Sequence, residues 1–262
     1  MFPRTRRFST LPRSWSLLRA IRHEQTRPEL FYRPLAEDTA ELLDTLLLDV
    51  HGTSPAGASG LSGLSGLSVL DVGGGPGYFA AAFAERGAWY VPVEPDVGEM
   101  AAAGISVPGS VRGDGRSLPF RSDQFDVVYS SNVAEHVPDP WRMAEEMLRV
   151  TRPGGLMVLS YTVWLGPFGG HETGLWEHYV GGEFARRRYE RRHGHPPKNV
   201  WGESLFDVSC AEGLRWASSV EGADLLLAFP RYHPSWAWWM VRVPLLREFL
   251  VSNLVVVLRK HP

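Results

Sequence analysis

Four glycines within five positions, set directly after a short apolar run that ends in an acid, constrain this chain more than any other stretch. Val69-Leu70-Asp71-Val72-Gly73-Gly74-Gly75-Pro76-Gly77 gives way to the apolar, alanine-rich Tyr78-Phe79-Ala80-Ala81-Ala82-Phe83. The pattern reads as strand, tight loop, helix. Glycine lets the backbone take positive φ and lets a ligand approach with no Cβ between them. The unpaired N–H groups at the start of the following helix face the same space. Such a loop holds a nucleotide-like ligand against backbone. Gly75-Pro76-Gly77-Tyr78-Phe79-Ala80 also fits the dinucleotide pattern G-x-G-x-x-A, so the loop alone leaves the ligand open.

The rest of the chain narrows the choice. At 262 residues it is long enough for one domain with appendages and a large core. Its formal net charge of −2 gives no global field for nucleic acid. A single cysteine, Cys210, excludes an internal disulfide framework and a multi-cysteine zinc site. A reducing cytoplasm is the expected home. No apolar run reaches the length of a membrane span, and no signal-peptide core follows the N-terminal arginines.

Residues 1–34 are basic and broken by proline, and read as a partly ordered tail or as a lid over a pocket. Residues 35–50 carry leucines at helical spacing, opposite a row of acids. Residues 51–67 read as a Gly/Ser-rich linker. Strand one spans about 68–72, and the glycine loop and a helix follow to Arg86. Strand two, Trp89 to Val93, ends at Glu94, about 20 residues past the loop. An acid there can accept both ribose hydroxyls of a nucleoside and would repel a 2′-phosphate. A helix is expected over Val97–Ala103. Asp114-Gly115 follows a short strand, where a carboxylate can accept the exocyclic amine of adenine. Phe125–Ser131 reads as a strand, Trp141–Val150 as an amphipathic helix, Arg152–Gly155 as a sharp turn and Leu156–Ser160 as strand five. Alternating strands and helices with continuous apolar strands predict an α/β fold, its parallel sheet covered on both faces. Asp71, Glu94, Asp114 and Ser130–His136 then fall at the carboxyl ends of strands, where such sheets bind ligands.

Taken together, residues 68–161 resemble the class I S-adenosylmethionine-dependent methyltransferases of the type 11 subgroup. Asp71–Gly77 is similar to that family's acidic, glycine-rich first motif, with Gly74 where many members carry cysteine. Glu94 matches its ribose-binding acid and Asp114 its adenine-contacting acid. Asn132–Pro138 matches the segment after strand four, and Arg152–Gly155 the turn before strand five. The resemblance implies a Rossmann-like, seven-stranded, mostly parallel sheet whose last strand is antiparallel, with strands six and seven at 223–229 and 254–258. It implies S-adenosyl-L-methionine as cofactor, bound by Asp71, Gly73, Gly74, Gly75, Gly77, Tyr78, Glu94, Pro95, Asp114, Gly115, Ser131, Asn132 and His136. The expected activity is methyl transfer to a small-molecule or lipid-like acceptor, within a catalytic domain spanning 35–262.

Methyl transfer asks mainly for positioning and exclusion of water, with a base where the acceptor carries a proton. His136 and His171 are the candidate catalytic groups. The aromatic, histidine-rich and basic insert at 161–215 is placed to roof the substrate side. His171, Glu172 and His178 do not have H-E-x-x-H spacing, and no metal is expected from them. The arginines of 186–192 spread around a helix, as a solvated face or an anion patch. The Trp-rich segment 230–250 reads as core, or as a surface for peripheral membrane contact. No nucleic-acid module accompanies the basic runs. Two other functions remain: a non-catalytic module binding the cofactor or its demethylated product, and a nicotinamide oxidoreductase, for which no Tyr-x-x-x-Lys is present.

Overall fold

The computed structural model describes residues 1–21, 23, 26–52, 62–96, 98 and 104–262. The helix expected over Val97–Ala103 lies outside the described residues except for Gly98, and so does most of the expected linker.

The strands come from the most apolar runs. They are β1 (Ser68–Val72), β2 (Trp89–Glu94), β3 (Val111–Arg112), β4 (Phe125–Ser131), β5 (Thr151–Thr162), β6 (Ala223–Pro230) and β7 (Asn253–Lys260). They form one seven-stranded sheet in the order β3-β2-β1-β4-β5-β7-β6. The pairings among β1 to β5 are parallel, and β7 runs antiparallel to both neighbours. The order reverses between β1 and β4, so the crevice for a ligand opens beyond their carboxyl ends.

The central strands alternate sides, and both sides are buried. One core layer sets Leu70, Val128, Met157 and Val256 against Met143 and Met147 of the helix Pro140–Val150. The other sets Val69, Val127, Val158 and Val255 against Leu42, Leu43, Leu46 and Leu47 of the long helix Pro28–His51 and Phe83 of Phe79–Glu85. The helix Pro140–Val150 starts where expected, with Pro140 in its first turn and Asp139 accepting from the Arg142 N–H. A capping box of Ser209 and Glu212 starts the helix Cys210–Ser219.

Three expectations need correction. The N-terminal segment is no loose tail. Helices Pro3–Phe8 and Leu11–Ile21 dock on the long helix, which begins at Pro28 rather than 35. Asp49 accepts from Thr5 and Arg4, Asp38 is ion-paired to Arg13, and Phe2 is buried. The described end of the Gly/Ser stretch is also packed: Leu64 is fully buried, and Ser62 donates to Asp44. Finally, Arg152–Gly155 lies inside β5. The register against β4 shifts between Phe125 and Val127, and Gly154 at φ 74° absorbs the irregularity.

Candidate active site

The glycine loop turns between β1 and the helix Phe79–Glu85. Gly73 has φ 86°, and a Cβ there would stand 2.3 Å from Val133 Cγ2. Gly75 has φ 51° and open space where a side chain would be. The loop therefore packs tightly on the segment after β4 and offers bare backbone to the cleft. Glu94, at the tip of β2, accepts from the Gly75 N–H at 3.3 Å and from the Asp96 N–H at 3.2 Å. Asp114 sits at the next strand tip. Arg116 donates to both its carboxylate oxygens and holds it below the usual carboxylate range.

These groups line one cleft of about 1130 Å³. Of the expected cofactor residues, Gly73, Gly74, Gly75, Tyr78, Glu94, Pro95, Asp114, Gly115, Ser131, Asn132 and His136 all face it, as does His171. Two stand apart. Gly77 packs toward Val107 instead. Asp71 is buried behind the loop, where its Oδ2 accepts from Tyr90 and Tyr129 at 2.5 and 2.6 Å. Burial raises its pKa to about 6 against the opposing pull of the two hydroxyls. Asp71 thus supports the loop from below and does not touch the cleft.

Beyond the loop the cleft is walled by the segment after β4 and by the insert. Asn132 takes φ 56°. Its Oδ1 accepts from Asn253 at 2.8 Å, and Asn253 in turn accepts from Ser160. Arg231, 1 % exposed, donates to Ser131 Oγ and Thr39 Oγ1 and lies 3.6 Å from Asp38. His136 and His171 cross edge to face with ring centroids 5.0 Å apart. Burial first, and His136 second, push the His171 pKa below its ordinary value. His178 is buried deeper, with Nε2 on the Gly166 carbonyl, while Glu172 accepts from Asn199. His171, Glu172 and His178 therefore each turn to a different partner.

The N-terminal segment, which the sequence left open between tail and lid, walls the cleft. Leu17, Ile21, Phe31, Tyr32 and Leu35 close the near side of the cleft, and Tyr232 also lines it. The amphipathic spacing of Trp15, Leu17, Leu18 and Ile21 was the available signal. Cys210 is no nucleophile, since burial pushes its thiol up to about 12.

A switch-point crevice, a bare glycine loop and acids at successive strand tips define a Rossmann-like protein with its cleft beyond the carboxyl ends of the strands. Comparison with known proteins sharpens that class. The profile of a methyltransferase domain matches residues 70–159. A protein of Mycobacterium marinum named "Uncharacterized methyltransferase" is 60% identical over 256 residues, covering 96% of each chain. One of Mycobacterium avium bearing the same name is 59% identical over 257 residues, covering 97% of each. The solved S-adenosylmethionine dependent methyltransferase of Mesorhizobium loti shares the fold, with TM-score 0.51 at 22% identity over 75% of this chain and 92% of that one. The chain belongs to the methyltransferase family of these relatives, and S-adenosyl-L-methionine is the cofactor expected of it.

The site fits that cofactor on its own geometry. Gly75 leaves open the volume a Cβ would fill, and Glu94 presents a carboxylate beside it. Among the described residues, no helix is long and apolar enough to cross a membrane.

Proposed function

We propose that the protein moves a methyl group from S-adenosyl-L-methionine to a small-molecule or lipid-like acceptor held in the far half of the cleft. The observation that carries this reading is the continuity of the cleft, from Gly75 and Glu94 at one end to His136, His171, Phe168 and Tyr232 at the other. Its volume exceeds the usual range for one drug-sized ligand. Bound, the cofactor supplies a methyl group already activated on a sulfonium. Glu94 takes the ribose hydroxyls, and Asp114 with Gly115 meets the adenine edge, Arg116 sharing the Asp114 carboxylate. Gly73 to Gly75 and Asn132 hold the amino-acid end. Leu17, Ile21, Phe31 and Tyr32 exclude water from the near side. His136 and His171 are the groups on the acceptor wall able to manage the acceptor's proton, as bases or through a bound ion.

Calorimetry with S-adenosylhomocysteine, followed by mass spectrometry of extracts incubated with methyl-labelled cofactor, tests the reading. Binding and a labelled product are expected. Absence of binding at millimolar concentration overturns it, and binding without any labelled product favours a non-catalytic sensor.

Peripheral membrane contact is the corresponding proposal for a lipid-like acceptor. Trp236 is 71% exposed, and Trp15, Trp239, Leu245 and Phe249 are exposed as well. Trp236, Trp239, Leu245 and Phe249 supply aromatic and apolar surface in the same segment as Arg242 and Arg247. Co-sedimentation with anionic liposomes is the expected result, and protein that stays in the supernatant ends the idea.

A further inference from the structure

The segment after β4 and the insert bring together three groups that are far apart in sequence. Glu135, His136 and His171 each offer a donor atom, and these atoms all lie within 4.8 Å of one another. Glu135 is 1 % exposed. Its Oε1 accepts from the Thr162 N–H at 3.1 Å, but its Oε2 is buried with no hydrogen-bond partner. Among the described residues no donor, lysine and arginine included, reaches that oxygen within hydrogen-bond distance. A buried carboxylate is normally matched by a cation or coordinates a metal.

The imidazoles point the same way. His136 Nδ1 lies 2.7 Å from the Ser204 carbonyl, and His171 Nδ1 lies 3.1 Å from the Gly169 carbonyl. A carbonyl can only accept, so each Nδ1 carries the proton and each Nε2 keeps its lone pair. Backbone carbonyls that fix the tautomer and aim Nε2 are the usual outer partners of metal-binding histidines. Both histidines line the cleft.

We propose that Glu135, His136 and His171 bind one divalent transition-metal ion on the acceptor wall. Two imidazoles and a carboxylate suit zinc, iron(II) or manganese, and three protein ligands leave positions open to substrate. Donors around a tetrahedral ion with bonds of about 2.1 Å stand about 3.4 Å apart, so the set closes by up to about 1.4 Å on binding. The ion selects an acceptor with an ionisable oxygen, such as a phenol, enol or hydroxy acid. On ligation the acceptor hydroxyl gives its proton to solvent. The oxygen's electron pair then forms the bond to the methyl carbon, the carbon–sulfur bond breaks, and its pair returns to sulfur. The products are the methyl ether, S-adenosylhomocysteine and the released proton. This role for the ion rests on the methyl-transfer reading; its binding does not.

The test uses the full chain without an affinity tag, treated with chelator and dialysed. Titration with zinc chloride by calorimetry, and with cobalt(II) chloride by visible absorption, is expected to show one equivalent bound. Glu135→Gln keeps the acceptor for the Thr162 N–H, and His171→Asn suits the φ of 48° at that position. Each is expected to weaken binding by about 100-fold or more, since losing an outer partner alone costs about 10–100-fold. His193→Asn, an exposed histidine far along the insert, leaves the titration unchanged. No uptake by the wild type, or uptake unaltered in both site variants, overturns the proposal. Calorimetry with S-adenosylhomocysteine on the same samples keeps the two readings apart. Its loss in the wild type counts against methyl transfer, whereas metal titration reports on the ion alone.

Discussion

Tyr32 of the long N-terminal helix stacks on Tyr78 of the glycine loop, with ring centroids 5.2 Å apart and planes within 4° of parallel. The contact ties a segment outside the methyltransferase-domain match at 70–159 to the glycine loop inside it. A stacked aromatic pair contributes about 0.5–1.5 kcal/mol beyond buried area. Tyr32→Ala is therefore expected to weaken S-adenosylhomocysteine binding about 2- to 10-fold, read by calorimetry, with unfolding by urea little changed. Unaltered affinity would show that the N-terminal wall does not reach the cofactor.

Glu94 provides the negative charge beside the bare backbone of Gly75. Hydrogen bonds to a charged group are worth about 1.5–3 kcal/mol. Glu94→Ala is expected to lower cofactor affinity about 10- to 100-fold. The circular dichroism spectrum should be preserved, because the core beneath β2 is untouched.

Gly73 has no room for a side chain. Gly73→Ala drives a Cβ into Val133 and strains a φ of 86°. The expected outcome is loss of measurable S-adenosylhomocysteine binding in a protein that still melts cooperatively. Retained binding would mean that the 132–138 segment gives way easily.

Asp71 makes a pH prediction. Its folded-state pKa is raised, to about 6 from 3.8, chiefly by burial. The native state then holds a proton that the unfolded chain releases between those values. Unfolding free energy from this group falls as pH rises through that window, by up to about 3 kcal/mol. Asp71→Asn is expected to flatten this part of the stability curve in urea titrations at pH 4 to 7. An unchanged slope would assign the pH dependence elsewhere.

Asp38 sits against two arginines, Arg13 and the buried Arg231. Removing one partner of a buried ion pair costs about 3–5 kcal/mol. Asp38→Ala is expected to lose about that much stability by urea denaturation. A change below 1 kcal/mol would mean the arginines find water instead.

The strands, the glycine loop and the strand-tip acids were readable in the sequence because each depends on local chemistry. Apolar runs of strand length, glycines where φ must be positive, and an acid one βα unit later are all short-range signals. Asp71 was misplaced because the same spacing serves a carboxylate that faces the cleft and one that is buried beneath it. Only the phenols of Tyr90 and Tyr129, brought in by neighbouring strands, decide between them. The N-terminal wall was read as tail or lid because proline and arginine break its pattern. Its docking depends on partners far along the chain, Asp49 for Thr5 and Asp38 for Arg13. The nearness of His136 and His171 is likewise a product of the insert's tertiary path.

The hydrogen bond from Asn253 to Asn132 has a consequence for biosynthesis. The glycine loop and the segment after β4 leave the ribosome well before β7 does. Until that strand threads between β5 and β6, the Asn132 side chain lacks its anchor and the crevice lacks a finished floor. Translation therefore delivers the glycine loop early and the strand that anchors Asn132 late.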